Sequence, residues 1–305
     1  MKIFVAGSTG VAGREVVAVL RRSGHGVTAA VRSSAKSDQV RGWGAEPATV
    51  DLFDPATVRS VVAGHDAICN LTTHIPSFTR ALLPRAWADN DRIRREVSAN
   101  LVDAALATGV PRLVQESIGF LYADRGDGWI TEQSGIQPNA VTRSAADAEN
   151  NVTRFIRSGG TGVIVRFGFF YGPANRHTAD MISLARRRIA PTLGDPNGFL
   201  SSLHTDDVGT AVAAALGAPA GTYNVSDDEP LRRSELHLVI AEAVGRSHPH
   251  ETGQFLARLG GTKAQTMARS QRLSNAAFKA ATGWSPTMTS AHRGWPAILA
   301  ARTNR

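Results

Sequence analysis

Residues 2–13 of the chain read KIFVAGSTGVAG, and this stretch decides the fold. Its first part, residues 2–6, is a short apolar run rich in strand-forming residues. A helical pattern follows directly and ends at residues 24–26, where glycines suit a helix C-terminus. A second apolar run, residues 27–31, completes a strand, a helix and a strand over about thirty residues, the length of one βαβ unit.

Three glycines stand between the first strand and the helix. Gly7 permits the tight turn out of the strand, Gly10 lets the backbone approach a pyrophosphate, and Gly13 allows the helix to pack closely on the sheet. The free N–H groups of the helix N-terminus then attract phosphate. The spacing predicts a dinucleotide site that also includes Thr9 and Val11, the alternative being a glycine-rich turn without a ligand.

The end of the second strand indicates which dinucleotide is bound. Proteins of this type that prefer NAD usually place an acid there to bind the ribose 2′-hydroxyl. This chain has Arg32 and Ser33 instead, with Lys36 close by. A guanidinium forms charge-assisted bonds to a 2′-phosphate, so we predict that NADP(H) is preferred over NAD(H). The alternative is that Arg32 is one more solvated arginine in an arginine-rich chain.

Composition limits the classes of protein that need to be considered. The 305 residues are 42% hydrophobic and carry a formal charge of +8, enough for a large core in an ordinary globular protein. The one dense basic run, residues 186–188, lacks interleaved aromatics, which argues against nucleic-acid binding. We also expect no membrane segment and no signal peptide. Cys69 is the single cysteine, which predicts a reducing, cytoplasmic location.

Beyond the opening unit, strand-like and helix-like segments continue to alternate. This order predicts an α/β fold, a Rossmann-type doubly wound parallel sheet with a small C-terminal α/β substrate region. We place the dinucleotide-binding domain at residues 1–172, joined by segments near 203–226, and a mainly substrate-binding region at 173–305. The further strands are predicted at 45–50, 67–71, 112–116 and 162–166, and the helices at 55–63, before Gly109 and at 143–157.

These motifs and their order resemble the extended and atypical short-chain dehydrogenase/reductases, in particular the NAD-dependent epimerase/dehydratase-like branch. The resemblance covers nearly the whole chain and implies that Asp51 and Leu52 lie near the adenine, and Leu71 and Thr72 near the nicotinamide ribose. It also implies a homodimer formed through helices at about 86–108 and 143–157, and a structural helix start at 204–207 capped by an aspartate. The motifs that carry it, besides the glycines, are 51–52, 100–105, 171–173, 204–208, 223–225 and 283–286.

The chain departs from this family at the catalytic pair. The family carries Tyr-x-x-x-Lys, followed four residues later by a glutamate. Matching that glutamate to Glu149 puts the tyrosine position at Val141 and the lysine position at Ala145. There is no lysine between Lys36 and Lys263 that could take over. In the family the tyrosine exchanges a proton with a substrate oxygen and the lysine lowers its pKa, so we expect a site without this pair.

Replacement catalytic groups are sought after the fifth strand. The resemblance makes Ser117 the first candidate for a hydrogen bond to the substrate oxygen. Tyr122 is a second candidate as a proton donor, although the equivalent family tyrosine is usually structural. Glu116 is an acid or base if burial raises its pKa, but pairing with an arginine is the commoner case. Arg94 occupies a helix position where the family often has an asparagine.

Three further residues are predicted to bind the substrate. His74 follows a strand at the carboxyl edge of the sheet, Arg143 begins a helix and suits an anionic group, and Phe199 lies in the C-terminal region. Surface positions without a function are the alternative for His74 and Arg143. No spacing of His, Cys or acids predicts a metal site, and no Gly-x-Ser-x-Gly segment predicts a hydrolase.

Two classes of function remain. The first is an NADP(H)-dependent oxidoreductase that acts without the Tyr-Lys pair on a small organic molecule, neutral or anionic, such as an enone, imine or activated carbonyl. A sugar-type epimerase or dehydratase is the alternative enzyme. The second is a non-catalytic NADP(H) redox sensor of the NmrA-like kind. We favour the enzyme, because the residues after 176 provide material for a substrate cleft.

Overall fold

The computed structural model of the chain describes residues 1–76, 83–252 and 261–303. The helix from Ala88 continues through a π-helical turn, Ile93–Val97, and short 3₁₀ turns occupy Pro84–Trp87 and Gly119–Leu121. The strands are β1 (Lys2–Ala6), β2 (Gly26–Val31), β3 (Glu46–Thr49), β4 (Ala67–Asn70), β5 (Arg112–Ile118), β6 (Thr161–Phe167), β7 (Phe169–Tyr171), β8 (Ile189–Pro191), β9 (Phe199–Leu200), β10 (Ser202–His204), β11 (Gly221–Val225), β12 (Leu231–Arg232) and β13 (His250–Thr252). The α-helices are α1 (Val11–Arg22), α2 (Ser34–Gly42), α3 (Pro55–Val62), α4 (Ala88–Arg92), α5 (Ser98–Thr108), α6 (Arg143–Arg157), α7 (Arg176–Arg186), α8 (Thr205–Ala215), α9 (Arg233–Ala243), α10 (Gly261–Ala268), α11 (Ala276–Thr282) and α12 (Ala291–Thr303).

The central element is a parallel sheet of seven strands in the order β11-β6-β5-β4-β1-β2-β3. Strands β1, β4, β5 and β6 are buried along most of their length, because helices cover both faces of the sheet. The chain leaves β1 toward β2 on one side and later returns to β4 on the other side. Ligands of open α/β sheets bind at such a reversal. The predicted Rossmann-type fold is confirmed.

Two apolar layers hold the helices against this sheet. On one face, α1 and α8 pack together, with Val16 and Leu20 of α1 and Val212 of α8 in the same cluster. On the other face, α3, α5 and α6 share a second cluster that contains Leu101 and Phe155. The strand and helix periodicities of the sequence therefore correspond to real buried faces.

A third cluster lies in the C-terminal part of the chain. Helices α7, α9 and α12 contribute Ile182, Leu236 and Trp295, and Tyr171 stacks on Trp295 with ring centroids 5.4 Å apart. The pairs β7–β10, β9–β12 and β8–β13 form small separate sheets. Strand β11 joins the central sheet beside β6 although it follows residue 172. The proposed domain boundary at 172 stays a prediction.

The structure adds features that the periodicity did not indicate. Helix α2 starts at Ser34, in a segment for which no helix was predicted. The sequence gives little periodic signal there, because Val40 is the one strongly apolar residue that this helix buries. The long helix predicted before Gly109 is present but contains the π-turn, and Gly109 ends it in the left-handed conformation with φ 73°. Within the described ranges, no helix is both long and apolar enough to cross a bilayer.

Candidate active site

The glycine turn after β1 is shaped by close backbone approaches. Gly7 has φ +78°, and a Cβ there would lie 2.6 Å from the carbonyl carbon of Leu71 and 2.9 Å from the amide nitrogen of Thr72. A Cβ on Gly13 would overlap the Gly7 carbonyl oxygen. Gly10 is exposed, and the nearest atom to its added Cβ is again Gly7 O at 3.3 Å. The turn therefore packs tightly on its inner side and stays open on its outer side.

The N-terminus of α1 faces this open side without competition from acids. Gly10 is the N-cap residue and offers no side chain to the helix, and the first turn contains no acidic residue. Val11 remains 38% exposed. Unpaired N–H groups and the positive end of a helix dipole bind phosphate well. These residues consequently fit the pyrophosphate of a dinucleotide.

The end of β2 presents a basic surface. Arg32, Ser33 and Lys36 are all exposed, and the Lys36 ammonium donates to the Gln39 side chain at 3.1 Å. Ser33 is the N-cap residue of α2. The first acid after β2 is Asp38, which pairs with Arg41 at 2.8 Å. This surface thus suits an anionic group, as the sequence suggested.

The predicted adenine and ribose residues follow β3 and β4. Asp51 is exposed and accepts a bond from the Phe53 amide at 2.9 Å, which orders its loop. The Leu52 carbonyl accepts from the Asn100 side chain at 3.0 Å. Their contact with a cofactor remains a prediction, but the side chains stand on the same sheet edge as the glycine turn.

Asn70 organises the segment after β4. Its side-chain oxygen accepts from the Thr72 amide at 3.2 Å and from the Thr72 hydroxyl at 2.6 Å. Its side-chain nitrogen donates to Gln115 of β5 at 2.8 Å. Leu71 and Thr72 are both buried beside Gly7. The structure thereby brings together the glycine turn and the pair predicted near the nicotinamide ribose.

The ends of β5 and β6 carry a buried ion pair. Arg166 of β6 donates to both carboxylate oxygens of Glu149 on α6, at 2.8 and 2.6 Å. Ser117 of β5, which lies beside Arg166 in the sheet, donates its hydroxyl to Glu149 at 2.6 Å. Ser117 has no exposed surface. Its predicted bond to a substrate oxygen stays a prediction, and its hydroxyl proton is directed to Glu149 here.

A second buried ion pair lies nearby. Arg94, in the π-turn, donates to both oxygens of Glu116 at 2.9 and 3.1 Å. Burial raises the pKa of Glu116, the Arg94 charge opposes that shift, and the Glu149 charge adds to it. Among the described residues, the Arg94 Nε has no hydrogen-bond partner. Glu116 is therefore paired with an arginine, which was the commoner case expected for it. Its partner Arg94 lies in a π-turn, and such turns are often found at functional sites.

Tyr122 belongs to the same enclosed region. It has no exposed surface, its hydroxyl donates to the Asn224 side chain at 2.8 Å, and the Arg166 guanidinium lies 4.7 Å from its ring centre. Burial raises the pKa of the phenol, while the Arg166 charge opposes the shift. Its catalytic role stays a prediction, and the geometry supports the structural alternative.

Helix α6 contains neither tyrosine nor lysine. Val141 and Ala145, the positions that the resemblance assigned to the catalytic pair, are both buried. Ser144 between them donates to Asp91 of α4 at 2.7 Å. Small side chains here allow α6 to pack directly on the helix that carries Arg94.

The three predicted substrate residues occupy three different elements. His74 is exposed, and its amide donates to the Asn90 side chain at 3.0 Å. Arg143 is exposed as the first residue of α6. The Phe199 ring is buried against two guanidiniums, those of Arg232 at 4.5 Å and Arg272 at 4.6 Å. Substrate binding by these residues remains a prediction.

A cavity of about 360 Å³ lies in the C-terminal part of the chain. Arg232 in its wall pairs with Asp127 at 2.9 Å, and hydrogen bonding to that arginine lowers the pKa of the Asp127 carboxyl. Two more acids, Asp124 and Asp195, also line it. In the part of the chain that the structure describes, no group of His, Cys, Asp and Glu is arranged to hold a metal ion.

The helix start at 204–207 requires one correction. It is structural, as expected, but the aspartate cap was wrong: the His204 ring accepts the bond from the Asp206 amide at 3.3 Å. Asp207 is fully buried and accepts instead from the amides of Thr287 and Met288, at 2.8 and 3.0 Å. The aspartate anchors a distant C-terminal segment, a partner that local spacing does not reveal.

Sequence reasoning missed the partners of the buried charges. Arg166 stands in the otherwise apolar run GVIVRF of β6, and an arginine in a strand buried on both faces needs an acid close by. Glu149, on the face of α6 that also buries Val152 and Phe155, is that acid. The sequence therefore indicates that Arg166 needs a buried acid, and the structure shows that this acid is Glu149.

Known proteins resemble the chain in sequence along most of its length. A family profile described as NAD(P)H-binding matches residues 7–219. The 3-diazoavenalumate denitrifying reductase of a Streptomyces species is 32% identical, over 97% of this chain and 98% of that protein. The NAD(P)H azoreductase of Xenophilus azovorans is 24% identical, over 80% of this chain and 74% of its own length.

Solved structures resemble the chain in fold. The UDP-glucose 4-epimerase of Thermotoga maritima, solved with UDP-glucose, superposes with a TM-score of 0.82 over 100% of both chains. The two sequences are 19% identical, so this likeness concerns the fold alone. The glycine turn, the sheet reversal and the NAD(P)H-binding family profile agree on a dinucleotide-binding site at the carboxyl edge of the sheet.

Proposed function

The chain belongs to the NAD(P)H-binding family within the extended short-chain dehydrogenase/reductases, and from that premise we propose that it reduces an activated acceptor with NADP(H). It is an NAD(P)-dependent enzyme of the oxidoreductase or epimerase type. An activated acceptor here means a conjugated, electron-poor group that obtains its proton from water. Such a substrate does not depend on a protein acid.

The observation that carries the proposal is that the polar side chains at the ends of β5 and β6 are hydrogen-bonded to buried partners. Ser117 donates to Glu149, Tyr122 donates to Asn224, and Glu116 is paired with Arg94. Each of these groups is committed to a buried partner. Since positioned acid–base catalysis contributes about 10²–10⁴ in rate, a site without it favours acceptors that need it least.

Nitrogen–nitrogen multiple bonds are acceptors of this kind. One relative is named for a diazo compound and another for azo reduction. A conjugated nitrogen–nitrogen multiple bond is electron-poor at nitrogen. Its reduction does not place charge on an oxygen that a tyrosine would have to protonate. We therefore propose a conjugated diazo- or azo-type molecule as the substrate class.

The residues present fit a phosphorylated dinucleotide. We propose that the turn from Gly7 to Gly13 holds the pyrophosphate, that Arg32 and Ser33 hold a 2′-phosphate, and that Thr72 lies beside the nicotinamide ribose. When bound, the nicotinamide supplies the hydride. The contribution of the chain is to orient this group and to enclose the reacting side with buried, neutralised ion pairs.

The test is a comparison of acceptors with NADPH, followed by nicotinamide absorbance. We expect turnover of a soluble aryl azo dye or a stabilised aryl diazonium salt, and reduction of cyclohexanone slower by about 100-fold or more. Reactions without protein and with a Gly7→Ala variant correct for direct chemistry. Fast ketone reduction would contradict the proposal, as would conversion of UDP-glucose to its epimer. NADPH binding without turnover of any acceptor would favour the sensor alternative.

We also propose that His74, Arg143 and Phe199 bind the substrate. A homodimer through the helices within 86–108 and 143–157 remains the proposed assembly, and sedimentation equilibrium measures it directly.

A further inference from the structure

Thr72 lies at the point where the strand order of the sheet reverses, between the carboxyl ends of β1 and β4. The Leu71 amide still donates to Ala6 O of β1, at 3.0 Å, whereas the Thr72 amide donates to a side chain. On the β1 side, a Cβ added to Gly7 would lie 2.9 Å from the Thr72 amide nitrogen. Because ligands of open α/β sheets bind at such a reversal, Thr72 stands at the edge of the proposed cofactor site.

The direction of the cofactor decides which half of it meets Thr72. The pyrophosphate, proposed at the N-terminus of α1, is the centre of a dinucleotide and has one nucleoside on each side. Strand β2, which leads to Arg32, lies on one side of β1, and β4 lies on the other side. With the 2′-phosphate of the adenosine half at Arg32, as proposed, the nicotinamide half extends over β4. The ribose of that half then lies beside Thr72, and its hydroxyl groups can donate hydrogen bonds.

The Asn70 side chain determines how Thr72 is held. It is buried at the end of β4, with 1% of its surface exposed. Its Oδ1 accepts from the Thr72 amide at 3.2 Å and from the Thr72 hydroxyl at 2.6 Å. A main-chain N–H can only donate, so the atom of Asn70 that faces it must be the oxygen. The orientation of the Asn70 amide therefore follows from the main chain.

Gln115 fixes the other side of the same amide. Asn70 Nδ2 donates to Gln115 Oε1 at 2.8 Å, and Gln115 Nε2 donates to Glu116 O, also at 2.8 Å. A main-chain carbonyl can only accept, so this end of the network has its direction set by the main chain as well. Neither amide can flip without bringing two donors or two acceptors together. The Asn70 side chain is therefore held in a single orientation.

This network decides what the Thr72 hydroxyl can bind. Its proton is donated to Asn70 Oδ1, because an amide oxygen can only accept. The hydroxyl then has only its lone pairs left, so toward any further group it acts as an acceptor. A ribose hydroxyl can donate to such an acceptor, whereas a phosphate oxygen cannot. The Thr72 hydroxyl thus suits the sugar of the nicotinamide half and does not suit the pyrophosphate.

We propose that Asn70 is a positioning residue: it accepts the hydrogen bond of the Thr72 hydroxyl and so directs that oxygen to accept from a hydroxyl group of the nicotinamide ribose. This role rests on the proposed function, because the ribose belongs to the cofactor of the same site. Asn70 acts through Thr72, does not touch the cofactor, and takes no part in hydride transfer.

Calorimetric titration with fragments of the cofactor tests the proposal without any turnover. The ligands are 2′-phospho-ADP, 2′-phospho-ADP-ribose and NADP⁺, of which the second adds the ribose and the third adds the nicotinamide. The quantity compared is the affinity for 2′-phospho-ADP-ribose divided by that for 2′-phospho-ADP. Asn70→Ala and Thr72→Val are each expected to lower this ratio by about three- to tenfold, the contribution of one neutral hydrogen bond. Thr72→Ser, which keeps the hydroxyl, is expected to retain the ratio of the wild type.

The matched control is a buried asparagine in the C-terminal part of the chain. The Asn275 side chain is 9% exposed and donates to residues 226–228. Asn275→Ala is expected to lower the melting temperature and leave the ratio unchanged. Should Asn70→Ala not fold, the Thr72→Val and Thr72→Ser variants decide the outcome between them.

Two results would overturn the proposal. If Asn70→Ala weakened the binding of 2′-phospho-ADP and 2′-phospho-ADP-ribose by the same factor, Asn70 would support the edge of the sheet and nothing more. If Thr72→Val weakened NADP⁺ alone, the hydroxyl would serve the nicotinamide carboxamide and the ribose assignment would be wrong.

Failure of this proposal can be told apart from failure of the proposed function. ADP and ADP-ribose, titrated in parallel, differ by the same ribose but lack the 2′-phosphate. A ratio that falls in Asn70→Ala with both pairs, without tighter binding of the phosphorylated ligands, would support the role of Asn70 and refute the preference for NADP(H). Since no acceptor is present, the outcome of the reductase assay does not affect these ratios.

Discussion

The cofactor side and the catalytic side of this molecule are built in opposite ways. The cofactor side, defined here as the turn from Gly7 to Gly13 with the exposed end of β2, offers glycines, backbone N–H groups and open basic side chains. The catalytic side, defined as the ends of β5 and β6 with the facing helices, is a closed set of buried ion pairs. The first depends on backbone shape and the second on side-chain partners. The two sides should therefore respond differently to substitution.

The largest expected effect is on the catalytic side, from removing one partner of a buried pair. Glu149→Leu leaves Arg166 without its counter-charge, and both side chains are at most 8% exposed. We expect a loss of about 3–5 kcal/mol in the free energy of unfolding, measured with urea. Glu149→Gln provides a milder variant if the leucine variant does not fold.

The matched control is an exposed pair that joins α6 to α5. Arg154 of α6 pairs with Asp103, and their side chains are 45% and 54% exposed. Asp103→Asn should cost about 0–1 kcal/mol. Equal losses for the two pairs would mean that burial does not make the Glu149–Arg166 pair more important for stability.

The next effect is on the cofactor side and concerns shape. Gly7 and Gly24 have nearly the same φ, +78° and +79°, but an added Cβ meets Leu71 at the first and nothing within 4 Å at the second. Both alanine variants pay the left-handed cost of about 1–2 kcal/mol. Gly7→Ala should lose about 1–3 kcal/mol more through overpacking.

Cofactor affinity separates the same two variants. Displacement of the turn in Gly7→Ala should weaken NADPH binding by about 100-fold, measured by nicotinamide fluorescence, whereas Gly24→Ala should bind as the wild type does. Similar affinities in both variants would mean that the close approach at Gly7 has no role in the site.

A smaller effect is expected for the basic end of β2. Arg32→Ala should weaken NADPH binding by about 10–100-fold and leave NADH binding unchanged, because a charge-assisted bond contributes about 1.5–3 kcal/mol. Arg41→Ala, on α2 but paired with Asp38, is the control. Equal affinities of the wild type for NADPH and NADH would contradict the proposed preference.

The smallest effect is a pH dependence on the catalytic side. Burial raises the pKa of Glu116 above its usual value of 4.5. The folded protein then holds this proton where the unfolded chain has lost it, so stability falls as the pH rises through the raised pKa. Glu116→Gln should remove this contribution to the slope of stability against pH, and Glu46→Gln, at an exposed glutamate, should not. A slope unchanged in Glu116→Gln would exclude a raised pKa.

Prediction from sequence succeeded where neighbours in sequence determine the structure. The βαβ unit, the parallel strands and the stop at Gly109 follow from local spacing and from the two periodicities. Helix α2 was missed because it buries almost no apolar side chain beyond Val40. The expected aspartate cap at 204–207 was wrong, and the role of Asp207 was not foreseen because its partners, Thr287 and Met288, lie 80 and 81 residues away.

The chain by itself determined the Rossmann-type sheet and the form of the cofactor turn, since glycine spacing and apolar periodicity act over a few residues. It also determined that α6 carries no tyrosine or lysine. Only the tertiary structure decided that Ser117 faces Glu149 and that Glu116 faces Arg94. The reason is that a buried charge must find a partner somewhere in the folded core, and topology rather than spacing selects which one.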